Sequence, residues 1–130
     1  MMYPAKVVER SQSLCRVGSL PREDRNVGTG LSREPAYGNV IRIQIRVEPG
    51  SGIIREARFK SFGCGWAIAS ASLAAEWIEG CTLIEATGVS SRKIIDELSL
   101  PEAKRHCADS AADAVRLAID DYRRKDDSNH

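Results

Sequence analysis

Two places in this 130-residue chain put sulfur where it could react or hold a metal. The first is Ser61-Phe62-Gly63-Cys64-Gly65-Trp66, one cysteine between two glycines, where a strand-like pattern gives way to a helix-like one. Glycine loses more backbone freedom on folding than any other residue, so the flanking pair calls for a tight turn or a close approach. A helix beginning just beyond Cys64 would set unpaired N–H groups and the positive end of a helix dipole beside the thiol. Such surroundings favour the thiolate, making Cys64 a candidate nucleophile or metal ligand. The competing reading is a small apolar residue filling a strand–helix corner. The second place is Lys104-Arg105-His106-Cys107, at the start of a helical pattern. Adjacent helical residues point about 100° apart, so His106 and Cys107 share a site only at the helix flank or end. Otherwise His106 is exposed and Cys107 lies on a buried stripe with Ala103 and Ala111. Two thiolates and an imidazole suit zinc or an iron–sulfur cluster.

The remaining candidates specify less. Cys81 follows Gly80 and reads as a linker residue, and Cys15 lies in a loop-like stretch. Gly28-Thr29-Gly30 lacks the following helix that a phosphate loop requires. The carboxylates are scattered, and no acid–base pair stands out.

The elements that must position these groups are legible from periodicity. Ile41, Ile43, Ile45 and Val47 alternate with mostly polar residues, predicting a half-buried strand. Glu48-Pro49-Gly50-Ser51-Gly52 is a turn, and residues 53–62 return as a second strand, with Ala57, Phe59 and Ser61 on one side. Residues 11–38 are loop-like, with one edge strand near Val27 to Leu31, and residues 4–11 suit a short helix. Beyond Gly65, the spacing of Ile68, Ala71, Ala75 and Ile78 predicts a helix ended by Gly80. Ser90 or Ser91 can cap a helix through Leu98. Pro101 suits the first turn of a long last helix, whose buried stripe is Ala108, Ala111, Ala112, Val115, Ala118, Ile119 and Tyr122. The charged end, from about residue 124, reads as a frayed tail. Strands followed by helices imply an α+β domain spanning residues 1–130: a small three-stranded antiparallel sheet with helices on one face.

Composition narrows the function classes. Nineteen basic and 18 acidic residues leave a formal net charge of +1, so no global field draws in nucleic acid or membrane. No apolar run approaches the roughly 20 residues of a membrane span, and the N-terminus lacks a secretory h-region. Four cysteines without a CxxC pair point to free thiols or ligands in a cytoplasmic protein rather than to disulfides.

Over nearly its whole length the chain resembles the iron–sulfur cluster scaffold family, the IscU proteins and the N-terminal domain of NifU. The resemblance is carried by Arg25-Asn26-Val27-Gly28-Thr29-Gly30, the strand Ile41 to Val47, and Ala57-Arg58-Phe59-Lys60-Ser61-Phe62-Gly63-Cys64-Gly65. Ala67-Ile68-Ala69-Ser70, Glu76-Trp77, Leu100-Pro101, Lys104 and His106-Cys107 continue it. It implies an α+β fold and no enzyme activity. It also implies a site where iron or a [2Fe–2S] cluster is assembled from sulfur delivered by a cysteine desulfurase, then passed to acceptor proteins. Cys64, His106 and Cys107 match three site positions of the family, and zinc can occupy the same residues. The family's Ala-Cys-Gly-Asp reads Ala36-Tyr37-Gly38-Asn39 here, which exchanges a thiolate for a phenol and a carboxylate for a neutral amide. The sequence therefore reads as a divergent member lacking the first ligand cysteine. Its chaperone-docking stretch is altered to Leu100-Pro101-Glu102-Ala103-Lys104. A [2Fe–2S] cluster usually takes four protein ligands. Cys15 could supply the fourth, or two chains could each give Cys64 and Cys107 in a homodimer or higher oligomer. A metal-poor adaptor that binds the desulfurase is the alternative function.

Overall fold

The computed structural model describes residues 16–34 and 38–127. Cys15, Tyr37 and the short helix expected over residues 4–11 lie outside the described residues. Three strands, β1 (Val27–Glu34), β2 (Asn39–Val47) and β3 (Ile54–Phe62), form an antiparallel sheet in the order β1-β2-β3. The edge strand is three residues longer than its apolar start suggests. Its polar end, Ser32 to Glu34, pairs with Ile41, Val40 and Asn39 and so gains ladder bonds that composition alone does not announce. Ile53 makes only an isolated bridge to Thr82.

Four helices follow: α1 (Gly65–Ile78), α2 (Leu83–Ala86), α3 (Ser91–Leu98) and α4 (Arg105–Asp127). Gly80 leaves α1 at φ +92°, a left-handed conformation that suits glycine after a helix end. Thr82 and Glu85 form a reciprocal capping box on α2, and the Ser90 side chain accepts from Lys93 N at the start of α3. Pro101 does not sit inside the last helix as its first-turn residue. It caps a 3₁₀ turn, Glu102–Lys104, that leads into α4.

The inward rows of the sheet, Ile41, Ile43, Ile45, Val47, Ala57 and Phe59, pack against α1 and α4. Helix α1 does not present the single stripe its spacing suggests: Trp66, Ala67 and all of Ala69–Ala75 are buried, while Ile68 is only partly so. Its alanines and serines are small enough for it to sink between the sheet, α3 and α4. At the β1 edge of the sheet, β1 and α4 are in very close contact. A Cβ on Gly30 would stand 2.0 Å from Ala114 O, and one on Gly28 2.2 Å from Ala118 O. These positions require glycine for want of room, not for backbone conformation.

The charged run after Tyr122 stays helical through Asp127, and at Lys125 it is held rather than frayed. Lys125 Nζ donates to the carbonyls of Arg22, Asp24 and Val27 at 2.6, 3.2 and 2.7 Å, tying the helix to the loop ahead of β1. Bonds from a charged donor are worth about 1.5–3 kcal/mol when well buried, and Lys125 is partly exposed. Lys125→Met is therefore expected to lower stability by about 1–2 kcal/mol in urea unfolding.

Candidate functional site at the end of the sheet

Four residues from three distant stretches of the sequence meet where β2 begins, β3 ends and two helices start. Asn39 opens β2. Cys64 is the N-cap of α1, with extended backbone (φ −77°, ψ 167°) and no capping bond from its side chain. Its carbonyl instead accepts from Ala67 N and Ile68 N at 3.0 and 3.2 Å, which leaves the sulfur uncommitted to the helix. His106 and Cys107 lie in the first turn of α4, so the adjacent pair reaches one site from a helix end.

Asn39 is 4% exposed, and its carboxamide joins the other three. Oδ1 accepts from Cys64 N at 3.3 Å, while Nδ2 lies 3.4 Å from His106 Nε2 and 3.9 Å from Cys107 Sγ. Gly63 makes this approach possible. Its φ of +143° disfavours a side chain, and a Cβ there would stand 1.9 Å from Asn39 Oδ1. The glycine before Cys64 thus answers to the amide of Asn39 as well as to the turn.

The two thiols differ in setting. Cys64 is partly exposed and Cys107 is buried. Burial pushes the Cys107 thiol up from 9.0 to about 12. The neighbouring Cys64 and the Glu34 carboxylate push the same way, and Lys104 opposes them. The sulfurs therefore form a pair whose inner member stays protonated at neutral pH until a cation replaces its proton. The native state keeps that proton between about pH 9 and 12, whereas the unfolded chain loses it from about 9 upward. This contribution is full below pH 9 and falls as pH rises, by at most about 1.4 kcal/mol per unit. Urea midpoints measured across that range are expected to drop more steeply for the unsubstituted chain than for Cys107→Ala.

Among the described residues, no three His, Cys, Asp or Glu side chains are already arranged as a metal-ligand set. The donor types fit a thiophilic metal, but two of them face the Asn39 amide. Of the remaining candidates, Cys81 donates Sγ–H to Trp77 O at 3.1 Å and accepts from Ile54 N at its carbonyl, so it serves the loop between α1 and α2. Leu100 is buried in the core, while Pro101 is exposed and Lys104 partly so. A docking strip of Leu100, Pro101 and Lys104 thus offers a partner only the last two. Sequence reading took Asn39 as a lost ligand. Its position as the hub of the site depends on the pairing of β2 with β3, which puts it beside Gly63.

A small α+β domain with thiol and imidazole groups gathered at the end of its sheet defines the class, and comparison with known proteins places the chain within it. The profile of the NifU-like N-terminal domain matches residues 2–129. The chain belongs to that family. It is 46% identical over 125 residues to the iron–sulfur cluster assembly scaffold protein IscU of Haemophilus influenzae, covering 96% of this chain and 98% of that one. It is likewise 46% identical to the IscU proteins of Azotobacter vinelandii and Escherichia coli K12, covering 96% of this chain and 97% of each of those. Among solved structures, a protein described as a scaffold for the SUF system of Fervidobacterium islandicum superimposes with a TM-score of 0.76 at 15% identity. That match covers 90% of this chain and 96% of the other. A NifU-like N-terminal protein of Brucella abortus superimposes at 0.63 and 17%, covering 95% and 94%. At those identities the two structures establish the fold alone.

Proposed function

We propose that this chain is a scaffold for iron–sulfur cluster assembly, with Cys64, His106 and Cys107 as the protein ligands of the iron or [2Fe–2S] cargo. One observation carries the reading: Cys64 and the His106-Cys107 pair, 42 positions further along the chain, converge on Asn39, in a chain 46% identical to IscU scaffolds. The cargo is a substrate of the protein rather than a resident cofactor, and the chain performs no catalysis. A cysteine desulfurase supplies the sulfur, acceptor proteins take the product, and the cytoplasm is where this occurs. Helix α4, although long, is not apolar enough to cross a membrane, and neither is any other helix among the described residues. Three ligands fall short of the four a [2Fe–2S] cluster usually takes. Two chains each giving Cys64 and Cys107 make up four without Cys15.

Anaerobic incubation with ferrous iron and sulfide, followed by desalting, tests this reading. Retained iron and sulfide with thiolate-to-iron absorption support it, and their absence overturns it. Zinc retained without sulfide would mark the site as a structural metal centre instead.

A second reading is favoured by the placement of the Asn39 amide against two of the would-be ligands, with no ready metal-ligand set among the described residues. Here the chain is a metal-poor adaptor that holds a cysteine desulfurase. Stoichiometric capture of the desulfurase by protein that takes up no metal would decide for it.

A further inference from the structure

The family resemblance implies a carboxylate where this chain has the neutral amide of Asn39, and the register of the sheet brings another carboxylate to the same side. Glu34, the last residue of β1, is the direct partner of Asn39, and directly paired residues of an antiparallel ladder project to the same face. Asn39 faces Cys64, His106 and Cys107, so Glu34 stands on the site's side of the sheet.

The packing of β1 on α4 gives the same answer independently. Side chains on one face of a strand recur every second residue, about 6.6 Å apart, which nearly matches four residues of helix at 1.5 Å each. Gly28 abuts Ala118 and Tyr122, and Gly30 abuts Ala114 and Ala118. Two further steps along β1, through Ser32 to Glu34, correspond to eight residues back along α4, which is the turn of His106 and Cys107. Burial follows the alternation: Leu31 and Arg33 are exposed, whereas Ser32 and Glu34 are partly buried. The Glu34 carboxylate is also among the groups felt by the Cys107 thiol.

We propose that Glu34 is the carboxylate of this site, supplying the fixed negative charge that draws a divalent cation to Cys64, His106 and Cys107 in place of the charge that Asn39 lacks. The proposal rests on the scaffold reading of those three residues. A carboxylate beside two thiols and an imidazole adds a hard oxygen donor suited to a ferrous ion on arrival, before sulfide is present.

Anaerobic titration with Co²⁺ reads this directly, because thiolate-to-cobalt absorption reports the cysteines whatever the carboxylate does. The unsubstituted chain is expected to show that absorption and Cys64→Ser/Cys107→Ser to lack it. Glu34→Gln should keep the absorption but need about 10-fold more Co²⁺ for half-saturation, the usual effect of losing a group that supports a metal ligand set. Adding Asn39→Asp to Glu34→Gln returns a carboxylate across the ladder and should bring the midpoint back towards the original. A Glu34→Gln midpoint indistinguishable from the unsubstituted one overturns the proposal and leaves the thiolate site standing, as does a double variant that recovers nothing. Absence of thiolate absorption in the unsubstituted chain overturns the site itself.

Discussion

A chain carrying Cys64→Ser together with Cys107→Ser is expected to come out of anaerobic reconstitution with iron and sulfide without colour or retained iron. The two thiols are neighbours, and among the described residues Asn39 also gathers the imidazole of His106 there. Serine oxygen remains protonated at neutral pH and is a poor ligand for iron–sulfide cargo, so the pair of substitutions removes the soft donors altogether. The effect should not be traceable to unfolding. Cys64 is partly exposed at the start of α1, and its backbone, not its sulfur, makes the helix-starting bonds. Cys107 is buried, and a hydroxyl there costs about 1–3 kcal/mol if unpaired. The variant should therefore be compared with Cys64→Ala/Cys107→Ala. Loss of iron in both, with cooperative thermal melting preserved, identifies ligand loss. Full colour in either would show that the cargo lies elsewhere.

Gly30→Ala is expected to be among the most damaging single substitutions in the fold. The added methyl would stand 2.0 Å from Ala114 O and 2.5 Å from Ala118 N, both backbone atoms of α4 that cannot rotate aside. Strand and helix would have to part, which also disturbs the turn that carries His106 and Cys107. Overpacked cores commonly lose 1–3 kcal/mol, and a clash of this depth against backbone should cost about 3 kcal/mol or more. Urea unfolding measures it. A loss below about 1 kcal/mol would mean that β1 and α4 are not apposed as described.

Much of this arrangement is legible in the sequence. The alternation of Ile41 to Val47 and the switch of period after Gly65 gave β2, β3 and α1, because each pattern commits one face to burial. What escaped was set by tertiary contact. The polar end of β1 carries no apolar signal and is a strand only because β2 pairs with it. Helix α1 is buried nearly all round because its residues are small, a property that periodicity does not measure. Lys125 reads as tail charge until three carbonyls of a distant loop surround its ammonium. At the site, Cys64, His106 and Cys107 were identified from their types and from family resemblance. Asn39 was noticed as a substitution but not as the residue that touches all three. Glu34 carried no signal at all, since its relevance comes from strand register and from the pitch of α4 alone.

The central claim concerns which atoms meet the metal, and iron X-ray absorption on the anaerobic protein with ferrous iron alone tests it most directly. Without added sulfide, any sulfur neighbour of the iron must come from the protein itself. Cys64 and Cys107 as ligands predict a sulfur shell in the unsubstituted chain that disappears in Cys64→Ser/Cys107→Ser, with a histidine contribution that disappears in His106→Ala. An iron environment of oxygen and nitrogen only, or a sulfur shell indifferent to those substitutions, would contradict the account.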